Sequence, residues 1–197
     1  MNLPNKLSIF RVLLVPVIAF VYLFPFVDYG ISLFTLTIHE VTLPATQVIT
    51  LIIFAVASFS DFLDGYIARK YQMITSFGKF IDPIADKLLV NSVLILLAVS
   101  GMISIIPVLF MVWRDIIVDA MRMMAAQKGV VVAAGIWGKL KTVVQMIGII
   151  VVLLNDIPFT FIGLEIGSWL IWIAAIVSGY SGIVYFKQCK QYVMESK

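Results

Sequence analysis

Four aspartates stand at the ends of two long apolar runs: Asp61 and Asp64 close the first, and Asp82 and Asp86 open the second. Spacings of i,i+3 and i,i+4 put each pair on one helical face. The polar stretch between the runs, Arg69 to Phe77, is short enough to return one helix antiparallel to the other, so the two pairs can meet. Carboxylates that close repel, and an acidic cluster beside a bilayer is costly unless a counter-charge occupies it. Hard divalent cations, Mg2+ or Mn2+, suit carboxylate oxygens and keep open positions for phosphate oxygens. Two metal ions and a phosphate-bearing substrate are therefore the chemistry the array suggests. Gly65, Ala68 and Gly78 beside the aspartates would leave a ligand room to approach the backbone. The plainer alternative is a structural network in which Arg69, Lys79 and Lys87 neutralise the aspartates.

A second constellation is basic. Arg114 and Arg122 lie eight residues apart and share a helical face, and Lys139 and Lys141 open the next apolar run. Anchoring at a membrane surface accounts for Lys128 and for Lys141, but Arg114 falls about halfway along an apolar run, where an arginine needs a buried partner or a ligand. Guanidinium groups grip phosphate bidentately and lysine adds a point charge. The expectation is a pocket for the phosphate of a soluble acceptor, with Asp115 and Asp119 balancing the arginines.

Asp61-x-x-Asp64-Gly65-x-x-Ala68-Arg69, eight intervening residues, then Gly78-x-x-x-Asp82-x-x-x-Asp86 resembles the full signature of the CDP-alcohol phosphatidyltransferases. The likeness extends to the start, Asn2-Leu3-Pro4-Asn5-Lys6-Leu7-Ser8-Ile9-Phe10-Arg11, to the Arg114 and Arg122 pair, and to Gly138-Lys139-Leu140-Lys141-Thr142, which together resemble the branch acting on glycerol 3-phosphate. The resemblance implies transfer of phosphatidyl from CDP-diacylglycerol to sn-glycerol 3-phosphate with release of CMP. It implies Asp61, Asp64, Asp82 and Asp86 as metal ligands, Asp86 also as general base, and Gly65, Ala68, Arg69 and Gly78 at the CDP-lipid. Arg114, Arg122, Lys139 and Lys141 would hold the acceptor phosphate. Asn5, Ser8 and Arg11, every third residue, match the family's amino-terminal pattern, although surface anchoring explains Arg11 as well. A homodimer is implied by the family alone. Asp119-Ala120 departs from the small or hydroxyl residue and glycine expected there, which bears on acceptor identity. Inositol phosphate, serine or phosphatidylglycerol as acceptor, or a cation transporter with acids along an ion path, are the alternatives.

These residues need helices to hold them, and the composition supplies them. With 62% apolar and 13% charged residues in 197 and a mean hydropathy of +1.08, the chain is expected to be an all-α integral membrane protein in one domain, residues 1–197. A pI near 9.0 and net charge of +3 do not call for nucleic acid, since the charges sit where topology and phosphates place them. Residues 2 to 11 suit a short amphipathic interfacial helix. Six membrane spans follow, over about 12–26, 45–69, 78–99, 105–126, 136–154 and 162–186. The first lacks a small-residue cleavage site and is expected to be retained. Under this division all fourteen Lys and Arg fall near one side, which places both termini and the aspartates on the cytoplasmic face of the cell membrane. The other face carries Asp28, His39, Glu40, Asp156 and Glu165. Cys189, the single cysteine, forms no intramolecular disulfide.

Overall fold

The computed structural model describes the backbone of residues 2–38, 41–71, 75–127, 130, 135–157 and 159–194. His39, Glu40, Lys128 and Lys197 lie outside the described residues, as do the side chains of Arg69 and Lys79. Six helices dominate: α1 Leu3–Leu23, α2 Ala45–Lys70, α3 Ser76–Val99, α4 Ile105–Gln127, α5 Ile136–Leu153 and α6 Ile166–Met194.

Four of these, α1, α2, α5 and α6, are long and apolar enough to cross a membrane. The two exceptions are instructive. α3 carries Asp82, Asp86 and Lys87, and α4 carries Arg114, Asp115, Asp119 and Arg122. Their polarity is that of the candidate site itself.

The separate interfacial helix expected over residues 2 to 11 is not a separate element. The chain runs as one helix from Leu3 through Pro16 to Leu23, because Pro4 in the first turn is compatible with helix and nothing before Phe24 stops it. Asn5, Ser8 and Arg11 are buried on it rather than turned to a surface. The segment between α1 and α2 holds a feature not expected, an antiparallel pair of β1 Thr35–Ile38 and β2 Val41–Pro44, with Thr35 opposite Pro44 and Leu36 opposite Leu43. Its Thr-Leu-Thr-Ile and Val-Thr-Leu runs have the β-branched alternation of strands.

The core lies midway along the bundle, where Ile18, Phe54, Leu94, Met111, Ile149 and Ile171 are fully buried. Outward-facing apolar side chains such as Leu13, Phe59, Ile116 and Ile176 are each about two-thirds exposed, the reverse of a water-soluble surface and the pattern expected against lipid. α5 and α6 pack closely through small residues. A Cβ on Gly148 would stand 2.8 Å from Ile171 Cδ1, and one on Gly167 would stand 2.6 Å from Val152 Cγ2.

Candidate active site

The site begins on α1. Asn5, Ser8 and Arg11 recur every three residues and so face the same way, onto the junction of α2 and α3. The Arg11 guanidinium is fully buried and pairs through Nη1 with Asp61 and through Nη2 with Asp64. The Ser8 hydroxyl donates to Asp82 Oδ1 and lies 3.5 Å from Asp64 Oδ2. One arginine and one serine thus gather three carboxylates from two helices. Among the described residues the counter-charge is Arg11, and of the Arg69, Lys79 and Lys87 network considered from the sequence, Lys87 turns instead to Asp119 while the side chains of Arg69 and Lys79 lie outside the described residues.

Asn5 fixes the turn that brings α3 back. Thr75 Oγ1 donates to Asn5 Oδ1 at 3.0 Å and caps α3 by accepting from Gly78 N–H at 3.0 Å. A Cβ on Gly78 would lie 3.0 Å from Asn5 Oδ1 and 3.8 Å from Asp82 Oδ2, so the glycine admits α1 against the aspartate helix. Gly65 and Ala68 are half-buried on the α2 turn that bears Asp64.

Asp86, one turn after Asp82, is within electrostatic reach of Asp61 on α2 and Lys141 on α5, and it lines a cavity of about 130 Å3 bounded by α3, α4, α5 and α6. Arg114, Arg122 and Lys141 line the same cavity. Their engagements differ. Arg114 is committed: Nε donates to Ser178 O at 3.0 Å, Nη2 to Ser181 Oγ at 2.6 Å and Nη1 to Asp115 at 3.0 Å. Its side chain lies across Gly182, where a Cβ would be 3.2 Å from Arg114 Cγ. The arginine that sat too deep for anchoring therefore has its buried partners. Lys141 Nζ donates to Asp115 at 2.6 Å. Among the described residues Arg122 has looser commitments: Nη2 donates to the Tyr185 hydroxyl at 2.9 Å, and its buried Nε finds no partner.

Lys139 is exposed and outside the cavity. Residues two apart on a helix point to opposite sides, so only one of Lys139 and Lys141 can face inward, and it is Lys141. Asp119, expected to balance the arginines, pairs with Lys87. Tyr185, in contrast, was not anticipated. Its ring lies beneath both guanidinium groups, with centroid distances of 5.5 Å from Arg114 and 4.8 Å from Arg122, and its hydroxyl also accepts from Gly135 N–H at 2.9 Å. Read as one more apolar aromatic of a long hydrophobic run, it gave no signal beyond its place seven residues after Ser178, on the same face of α6.

The model for the CDP-alcohol phosphatidyltransferases matches residues 1–180. The chain belongs to this family. As a member of it, the chain is 36% identical over 187 residues to the CDP-diacylglycerol–glycerol-3-phosphate 3-phosphatidyltransferase of Bacillus subtilis, covering 95% of this chain and 94% of that one. It is 37% identical over 192 residues to the enzyme of the same name from Rickettsia typhi, covering 97% and 98%. The Haemophilus influenzae enzyme of that name is 33% identical over 199 residues. CDP-alcohol phosphatidyltransferases work with a divalent metal. The present residues fit one in chemistry, with hard carboxylate oxygens converging on a place that already accommodates a fully buried cation, the Arg11 guanidinium. Among the described residues no three acidic side chains form a finished ligand set, and Arg11 and Ser8 engage oxygens of Asp61, Asp64 and Asp82.

Proposed function

We propose that this chain transfers the phosphatidyl group of CDP-diacylglycerol to sn-glycerol 3-phosphate, giving phosphatidylglycerophosphate and CMP. The observation that carries the reading is the position of Asp86, which continues the aspartate face of α3 and at the same time lines the basic cavity. A carboxylate so placed can take the proton of the acceptor's primary hydroxyl as its oxygen attacks the phosphorus that bears the diacylglycerol. A P–O bond to that phosphorus forms, the phosphoanhydride bond breaks, and CMP leaves with the electron pair.

Asp61, Asp64, Asp82 and Asp86 would hold the divalent ions, Mg2+ or Mn2+ and two in number. Bound there, they would supply electrophilic activation of the pyrophosphate and neutralise charge on departing CMP. Ser8 orients Asp82, and Arg11 holds Asp61 and Asp64 together. Gly65, Ala68, Arg69 and Gly78 form the CDP-lipid side. On the acceptor side Arg122 and Lys141 supply cationic donors, with Arg114 and Tyr185 holding Arg122's surroundings in shape. This basic lining favours an anionic acceptor over serine.

The site would sit at the cytoplasmic face of a six-span protein in the cell membrane, with both termini inside, acting as a homodimer. Helix bounds support the orientation: Lys6, Lys70, Lys79, Arg122, Lys139 and Lys190 all stand toward one set of helix ends, while Asp28, Asp156 and Glu165 stand between the others. The test is CMP release by purified protein in detergent from CDP-diacylglycerol and Mg2+, with glycerol 3-phosphate, serine and inositol phosphate supplied separately. Release with glycerol 3-phosphate alone is expected. Release with serine or inositol phosphate instead would keep the aspartate site and overturn the acceptor.

A further inference from the structure

Gln145 stands on α5 one turn beyond Lys141, on the same face and about 6 Å deeper into the bundle. It is 1% exposed and lines the basic cavity. Its Nε2 is buried and has no hydrogen-bond partner among the described residues. Buried amide donors are nearly always paired, and leaving one unpaired is costly. Across the cavity, Asp86 and then Asn91 of α3 line the same descent. The phosphate-gripping end is marked by Gly138, which abuts the Tyr185 hydroxyl, and Gln145 lies seven residues below it, about 10 Å along the helix axis. The cavity volume of about 130 Å3 is well above the roughly 10–15 Å3 that one water needs, which leaves room for a small phosphorylated alcohol.

We infer that Gln145 is a specificity-determining residue, whose amide donates to the middle hydroxyl of a polyol phosphate while Asp86 faces the attacking primary hydroxyl. The inference rests on the proposed transfer to glycerol 3-phosphate and deepens it. A polar group waiting in a buried wall rewards an acceptor that carries the matching hydroxyl and penalises one that lacks it. An apolar wall would accept both.

The probe is 3-hydroxypropyl phosphate, which keeps the phosphate and the primary hydroxyl and lacks the middle one. CMP release is measured for wild type, Gln145→Leu and Gln145→Met with this compound and with glycerol 3-phosphate. Wild type is expected to favour glycerol 3-phosphate in kcat/KM by about 10-fold or more. Both variants should lose about 10-fold on glycerol 3-phosphate and stay within about 2-fold on the analogue. Size-exclusion profiles should match wild type, since the change removes an unpaired donor, and the unbranched Met variant keeps the side-chain length if Leu packs poorly. Equal losses on both acceptors, or no loss on either, would overturn the inference while leaving phosphatidyl transfer intact. A wild-type protein that uses neither acceptor would refute the functional reading itself, and this inference with it.

Discussion

Replacing Arg11 by Met removes the one cation that, among the described residues, Asp61 and Asp64 share. The Asp61 arm is 46% exposed and contributes little once water screens it. The Asp64 arm is different, with both side chains at 4% exposure or less. Taking one partner from a buried pair costs about 3–5 kcal/mol, because the other charge is left without compensation. In a chain of this size each kcal/mol moves Tm by about 2–4 °C, so Arg11→Met should melt roughly 6–20 °C below wild type in EDTA. A divalent ion offers the carboxylates another counter-charge, so saturating Mn2+ should raise Tm more in the variant than in wild type. Thermal unfolding in detergent, followed by tryptophan fluorescence with EDTA and with Mn2+, reads both quantities. A variant melting within about 2 °C of wild type in EDTA, or equal metal-induced increments in the two proteins, would refute the view that Arg11 holds the cation position of this centre.

Asp86→Asn should lower kcat by at least about 100-fold with an unchanged size-exclusion profile, and near-normal turnover would remove its role as base. Arg122→Ala should raise KM for the acceptor by about 10- to 150-fold, the worth of charged hydrogen bonds, with the KM for CDP-diacylglycerol unmoved. Arg114→Ala should show first as a fall in Tm, since its donors are spent on α6 and Asp115, and an unchanged Tm would contradict that. Lys139→Ala should leave the acceptor KM within about 2-fold of wild type, whereas Lys141→Ala should not, because it strips the buried Asp115 of a partner.

Periodicity made the helices legible: the apolar runs from Ala45, Ile105 and Ile136 begin where α2, α4 and α5 begin. The aspartate pairs were legible for the same reason, because i,i+3 and i,i+4 spacing fixes a face whatever surrounds it. Arg11 was harder. A polar stretch at the start of the chain reads equally as a surface helix, and only the packing of α1 on α2 and α3 turns its three-residue repeat inward. Lys139 and Lys141 were expected together in the pocket, although residues two apart on a helix point to opposite sides and spacing alone would have separated them. Tyr185 and Gln145 were not legible at all: each is a single polar-capable residue in an apolar helix, and its meaning lies in partners 50 or more residues away or in the lack of one among the described residues. The strands at 35–38 and 41–44 went unread because the segment from Asp28 to Pro44, lacking Lys and Arg, reads as an outer loop, although its β-branched residues carry a strand signal.

The central claim is tested most directly by following both products in one reaction. Purified protein in detergent receives CDP-diacylglycerol, Mg2+ and glycerol 3-phosphate, and CMP is quantified together with the mass of the lipid formed. The account predicts one CMP per lipid, with glycerol phosphate joined to phosphatidyl, and neither product when EDTA replaces Mg2+. CMP without that lipid, or undiminished turnover in EDTA, would contradict it.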